Sequence, residues 1–525
     1  MAARIYFWVK WLILAFVLIS VAITIITLTF KDFKPNPSFM GKKRPPIDRS
    51  YQTKIDQALD PILAEHAGET GLVLLEDNLD AFAIRAITAR NAERTLDVQY
   101  YIWNDDLTGH MLGMELLKAA DRGVFVRILL DDLNAINKDS VLSGLAGHPQ
   151  IEIRLFNPIH SRQNIITRSV EMVFRGLSLN RRMHNKAWIA DSQLAIIGGR
   201  NIGNEYFDAD PETNFFDVDL LLAGNAVGET EAIFDQFWNS PAVIPFKQIM
   251  PWKKKSLQKL RDRELEVDAS ERDIRELYLA EIKASPSIRE LFLGEREIIW
   301  TDKAHVYSDP PEKVFDENED EWLVNTVLHR AWSSASEEFY LISPYFVPGE
   351  AGVTQICDLR ERNVNVQILT NSLAANDVMM VHGGYAPYRK PLLECGAMLY
   401  ELMPFNMGKR QGIGAKGASL HTKAFIIDNR LSFIGSFNHD PRSARLNTEM
   451  GILFESEVIT DSLKDLYENH VTQQNSYILF LEEGKIRWRD EAAGDPKIWT
   501  REPETGLIKR AMTKIVSWLP IESQL

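Results

Sequence analysis

The chain carries one short motif twice. His184-Asn-Lys186-Ala-Trp-Ile-Ala-Asp191 leads to Gly198-Gly199-Arg-Asn201, and His421-Thr-Lys423-Ala-Phe-Ile-Ile-Asp428 leads to Gly435-Ser436-Phe-Asn438. Both copies keep the same offsets from His to Lys, to Asp, to the glycine step and to Asn. The surrounding pattern repeats as well. A strand over residues 96–103, a helix over 111–121 and a strand over 124–130 are expected in the first half, and the same series over 339–346, 352–360 and 364–369 in the second. Duplicated β-α-β units predict an α/β fold of two similar halves, with one site assembled from both.

Residues two apart on a strand point to the same face, so each copy presents an imidazole beside an ammonium: His184 with Lys186, His421 with Lys423. A phosphodiester suits this arrangement. Its phosphorus needs a nucleophile on one side and a proton for the departing oxygen on the other, while lysines and amides hold the equatorial charge. Two His, two Lys and two Asn supply those parts without a metal or cofactor. The apolar residues after each His read as a buried strand, and the small residues that follow suit a tight turn near a phosphate. A single His in an apolar strand is usually a core histidine, but two copies of a four-element pattern overturn that reading.

With these residues the chain resembles the phospholipase D superfamily, whose signature is this motif in duplicate. The resemblance implies two pseudo-symmetric α-β-α sandwich domains sharing one active site. One His would form a covalent phosphohistidine while the other acts as acid and then base. That carries over to His184, Lys186 and Asn201, and to His421, Lys423 and Asn438, with His184 taken as nucleophile. Asp191 and Asp428, with Gly198, Gly199, Gly435 and Ser436, would support the motif's shape. An acid downstream of each motif would brace the His of the same half: Glu449 for His421, and Asp217 for His184, with Asp219 as the alternative. Gly199 opposite Ser436 removes a hydroxyl donor from one half.

Within the superfamily the chain is most similar to bacterial cardiolipin synthases of the C-type branch. The similarity rests on Arg181-Arg-Met-His-Asn-Lys186, Ile197-Gly-Gly-Arg-Asn-Ile-Gly-Asn-Glu-Tyr-Phe207, Gly384-Tyr-Ala-Pro-Tyr-Arg-Lys-Pro-Leu-Leu393 and Leu519-Pro-Ile-Glu522. It implies transfer of a phosphatidyl group to phosphatidylglycerol, with phosphatidylglycerol or phosphatidylethanolamine as donor. A phospholipase D hydrolysing phospholipids to phosphatidic acid, and a membrane-tethered phosphodiesterase or nuclease, use the same residues. A net charge of −14 argues against nucleic acid as partner.

Residues 11–30 form an uncharged apolar run of about twenty residues, the length that crosses a bilayer. Tyr6, Trp8 and Trp11 sit at one end and Lys31 and Lys34 at the other, which reads as a single-pass anchor, and the resemblance implies that it sits in a bacterial inner membrane. Arg4 and Lys10 before the run, against Lys31, Lys34, Lys42, Lys43 and Arg44 after it, favour the cytoplasmic side for the catalytic domain, with translocation of a long domain as the alternative. The expected organisation is an anchor over 1–34, a linker over 35–47, a first domain over 48–250, a solvated helical connector over 251–295, a second domain over 296–480 and an extension over 481–525. Arg162, Arg168, Arg175, Arg181 and Arg182 precede the first His, as an anionic-lipid contact or a plain surface helix. In the extension, residues 507–519 form an amphipathic helix, expected to pack on the domain, with contact to the membrane surface as the alternative. Cys357 and Cys395 lack metal-ligand spacing and are expected as core thiols.

Overall fold

The computed structural model describes Trp11, residues 50–519 apart from 137, 160–161, 163–164, 251–254, 266–268, 287–288, 291–295, 317–318, 405–416, 473 and 493–495, and residues 522–524. The expected anchor, Trp11 aside, and the linker lie outside the described residues. Among the described residues no helix is long and apolar enough to cross a membrane.

Two mixed sheets, of nine and ten strands, repeat one plan. In the first, Ala187–Ala190 lies antiparallel to Thr95–Tyr100, which runs parallel to Phe125–Asp131 and through it to Ile151–Phe156. Leu194–Gly198, Asp219–Gly224 and Thr70–Leu75 extend the other side antiparallel. In the second, Ala424–Ile427 lies antiparallel to Glu338–Ile342, which runs parallel to Asn365–Asn371 and through it to Met398–Leu402. Leu431–Gly435, Met450–Glu455 and Ala304–Ser308 complete the correspondence. The motif strand therefore occupies the same place in both sheets.

In each half the helix of the β-α-β unit starts earlier than periodicity alone indicates, at Leu107 and Gly349. Leu107–Asp121 begins where the Asp106 carboxylate accepts from Gly109 N–H at 2.9 Å, and capping of this kind stabilises a helix start by about 1 kcal/mol. Glu338–Ile342 ends before Ser343-Pro344, because proline cannot donate to the ladder.

The halves form one body. Ile189, Ile197 and Leu220 of the first sheet share a buried apolar cluster with Ala424, Ile434 and Ile452 of the second. Phe234 and Trp238 from the helix Asn225–Trp238, and Ile459 and Leu463 from Glu457–His470, join the same cluster.

Strands cross the expected domain limits. Ile299–Thr301, beyond 296, pairs with Thr70–Leu75 in the first sheet. Lys485–Asp490 and Lys497–Trp499, beyond 480, extend the second. The connector is helical, over Ser256–Leu265 and Ala269–Ala284, but it is packed where solvation was expected. Leu260 and Leu257 close over Gly144 and Gly147, where an added Cβ would meet them at 2.8 and 3.1 Å. Tyr278 is fully buried and donates to Phe207 O at 2.7 Å. Its apolar spacing marks a buried face that the charge alternation masks.

The two cysteines are also not free thiols. Cys357, on the helix Gly349–Glu361, is disulfide-bonded to Cys395 with Cα atoms 5.5 Å apart. The helix Arg389–Glu394 brings Cys395 alongside, a proximity that a separation of 38 residues does not announce.

Candidate active site

Two short parallel pairings stitch the halves together at the motif histidines. Met183 bridges Thr448, His184 N–H donates to Thr448 O at 2.9 Å, and Thr448 N–H donates to Arg182 O at 2.9 Å. On the other side Gly417–Leu420 pairs with Thr213–Phe216, and His421 N–H donates to Phe216 O at 2.7 Å. Each histidine segment is thus zipped to the segment that delivers an acid from the opposite half.

The braces are consequently crossed. His184 Nδ1 is 2.7 Å from Glu449 Oε2, and His421 Nδ1 is 2.6 Å from Asp217 Oδ2. Bracing within each half, as the resemblance implied, is corrected: Glu449 serves the first histidine and Asp217 the second. The interdomain pairings decide the contact. Asp219, the alternative to Asp217, is turned away into ion pairs with Arg85 at 2.8 Å and Arg200 at 3.3 Å.

With Nδ1 held by a carboxylate, the outer nitrogen Nε2 of each imidazole is oriented for other chemistry. Lys186 Nζ donates to His184 O at 2.6 Å, and Lys423 Nζ lies 3.0 Å from His421 Nδ1 and donates to His421 O. All six of these side chains are buried.

Burial sets the charge state. It pushes both imidazoles well below their ordinary value, and the lysines add to the effect, Lys186 foremost at His184 and Lys423 at His421. It lowers the Lys186 ammonium to about 7 against the pull of Glu449, and Lys423 to about 8 against that of Asp217. It raises Asp217 to about 6 and Glu449 to about 7, against Lys423 and Lys186. Each histidine–carboxylate pair is thereby biased toward its uncharged form. An arriving phosphate anion would reverse the bias at imidazole and ammonium alike.

The asparagines are not equivalent. Asn201 Oδ1 accepts from Ile102 N–H at 3.1 Å and its Nδ2 donates to Tyr206 Oη at 3.0 Å, whereas the buried Oδ1 of Asn438 has no hydrogen-bond partner among the described residues. The glycine step differs too. Ser436 Oγ donates to Glu449 Oε2 at 2.5 Å, whereas a Cβ at Gly199 would lie 2.2 Å from Asp217 Oδ1. Gly198 and Gly435 likewise admit the neighbouring strand, at 2.5 Å from Val218 O and 2.4 Å from Met450 O.

Asp191 and Asp428 sit at the far ends of the motif strands from the lysines, both with φ of 51°. Asp191 accepts from the amides of Glu93, Arg94 and Thr95, and Asp428 from those of Ser336, Glu337 and Glu338. They tie each motif turn to the start of the adjoining strand. The arginine-rich segment is largely internal: Arg162 pairs with Asp132 at 2.6 Å, Arg175 with Glu171 at 2.7 Å and Arg182 with Asp131 at 3.3 Å, all three arginines buried.

Sequence reasoning missed an aromatic lining. Tyr101 meets the His184 ring edge-on at 5.0 Å, while Phe215 stacks on His421 at 5.0 Å and Tyr206 meets it edge-on at 5.1 Å. Tyr345 stands 6.4 Å from His421 and donates to Asp377 at 2.8 Å. The aromatic ends of the two leading strands, Tyr101 and Tyr345, were the available signal.

A family model described as "Cardiolipin synthase, PLD-like domain" matches residues 86–238 and 328–471, one stretch in each half. The chain is 41% identical over 476 residues to cardiolipin synthase C of Escherichia coli strain K12, covering 89% of this chain and 99% of that protein. It is 25% identical over 409 residues to a cardiolipin synthase of Halalkalibacterium halodurans, covering 77% of this chain and 67% of the relative. Among solved structures, phosphatidylserine synthase of Haemophilus influenzae Rd KW20 matches with a TM-score of 0.53 over 82% of this chain and 92% of that one. At 14% identity that likeness concerns the fold alone. Both halves of the duplicated motif fall inside the matched stretches, and the chain belongs to the cardiolipin synthase family of phospholipase D-like proteins.

Proposed function

We propose that the chain is a phosphatidyltransferase that joins a phosphatidyl group to the headgroup of phosphatidylglycerol, giving cardiolipin at a bacterial membrane. The observation that carries this reading is the pair of buried imidazoles, each held at Nδ1 by a carboxylate of the opposite half. His184 Nε2 attacks the donor phosphorus. A P–N bond forms and the P–O bond to the donor headgroup breaks, and His421, which takes up a proton from solvent as the phosphate anion arrives, passes it to the departing oxygen. The hydroxyl of a second phosphatidylglycerol then loses its proton to His421 and attacks phosphorus. The P–N bond breaks and cardiolipin leaves.

Lys186, Lys423, Asn201 and Asn438 hold the phosphoryl oxygens as charge redistributes. Glu449 and Asp217 keep each ring in the tautomer that exposes Nε2. Similarity to cardiolipin synthase C of Escherichia coli over 99% of that protein's length supports the choice of product.

Purified protein in vesicles of phosphatidylglycerol tests the reading. Cardiolipin and free glycerol in equal amounts by mass spectrometry, absent with His184→Ala, are expected. Phosphatidic acid as the main product would instead establish a hydrolase.

A further inference from the structure

The helix Leu507–Val516 packs with its large apolar side chains turned outward. Its inner contacts are small: Val516 and the Thr513 carbonyl close over Gly383 of the helix Met379–Tyr385, where an added Cβ would meet them at 2.6 and 3.1 Å. Ile508 is 80% exposed and Trp518 72%, and Leu507, Met512, Ile515 and Leu519 are exposed with them. Six large apolar residues within thirteen is far more than scattered surface exposure provides.

This exposure is built in. Before the helix, Glu502 is held by Arg389 at 2.6 Å; after it, Glu522 accepts from Tyr388 Oη at 2.6 Å. Both ends of the segment are thus anchored to the second half.

Charge indicates what covers the face. Lys509, Arg510 and Lys514 accompany the apolar residues, and no acid occurs from Leu507 to Leu519, in a chain of net charge −14. Lys514 also stands 5.5 Å over the Trp518 ring. An amphipathic helix with cations beside its apolar face and tryptophan at its rim fits the interface of an anionic bilayer.

Location relates the face to the site. Lys509 lies in the field of Asp377, the acceptor of the Tyr345 hydroxyl, and the Tyr345 ring faces His421. Asp377 immediately precedes the segment leading into the helix that Leu507–Val516 packs on. A second exposed set, Ile165, Met172 and Val173, lies on the helix Ile165–Leu179, and just beyond it Asn180 donates to Gln524 of the closing tail at 2.7 Å.

We infer that the outward face of Leu507–Val516, continued through Trp518 and Leu519, seats on an anionic lipid surface and holds the mouth of the site against the bilayer. This deepens the lipid-substrate reading, yet its test reads contact and not turnover, so either can fail alone.

Hydrogen exchange of the full chain in nanodiscs is the test, comparing discs one-third phosphatidylglycerol with discs of phosphatidylcholine alone. Exchange across 507–519 is expected to be at least tenfold slower in the anionic discs. The combined variant Ile508→Ser, Ile515→Ser and Trp518→Ser should remove that protection while exchange across 379–385, which reports the fold, stays unchanged. Equal exchange in the two kinds of disc, whether the face is bare or covered by another part of the chain or a second copy, would overturn the assignment. So would protection that survives the triple substitution.

Discussion

Glu449 reaches across from the second half to His184 of the first, at 2.7 Å, while Ser436 holds the same carboxylate oxygen at 2.5 Å. Neither half therefore contains a finished histidine. The crossing makes the seam between halves part of the site's chemistry, and it gives each acid a distinct target that substitution can separate.

Glu449→Gln should lower kcat by roughly 10²- to 10⁴-fold with little change in KM, since a neutral amide neither fixes the tautomer nor supports an imidazolium. The crossing has its own signature. In ¹⁵N NMR the ring nitrogens of His184 should shift in Glu449→Gln and stay in place in Asp217→Asn, with His421 showing the reverse. Same-residue bracing within each half would exchange the two patterns.

The lysines govern the alkaline side of the pH profile. With Lys186 near 7 and Lys423 near 8, both cations are present below those values and are lost as pH rises through them. The histidines are held low by burial, so the proton that His421 takes up with the substrate is also harder to gain as pH rises, and both effects run in the same direction. kcat/KM, which reports the free enzyme, should fall as pH passes 7 to 8. Lys423→Arg should move that limb to higher pH, because guanidinium keeps its proton. An unchanged limb in that variant would remove Lys423 from the titration.

How much of this was legible in the chain depends on distance along it. The motif strands, their lysines and the repeated β-α-β order are local periodicities, and the two sheets follow them. The partner of each histidine is a matter of which backbone segments pair across the seam, Met183 with Thr448 and Phe216 with Leu420, and no local pattern encodes that. The same holds for Cys357 and Cys395, brought together by helix packing. Arg162 and Arg182 read as surface charge because their acidic partners, Asp132 and Asp131, lie in other elements.

The disulfide bears on membrane side. Cytosolic thiols are kept reduced, so a bonded Cys357–Cys395 pair argues against the cytoplasmic placement that the Lys and Arg count favours. Alkylation of intact cells after acid quench should find the pair oxidised, and an impermeant protease should reach the second half in spheroplasts. Cys395→Ser should destabilise the protein by about 4 kcal/mol on the chain-entropy estimate for a loop of this size. A pair found reduced in cells would restore the cytoplasmic placement.

The remaining asymmetry lies at the glycine step. Ser436 fits because Glu449 is long enough to reach past it, whereas the shorter Asp217 occupies the space that a side chain at 199 would need. Each half thus pairs a hydroxyl with a long acid or a bare glycine with a short one, and exchanging one member alone breaks the match. Gly199→Ser forces Asp217 away from His421, so its kcat should fall by about the same factor as in Asp217→Asn. The two changes act through one contact, and the double variant should be little worse than either single one. Ser436→Gly removes one charge-assisted hydrogen bond while Glu449 keeps His184, so roughly a tenfold loss is expected. Full additivity of Gly199→Ser with Asp217→Asn would show that the glycine serves the site by a route other than the acid.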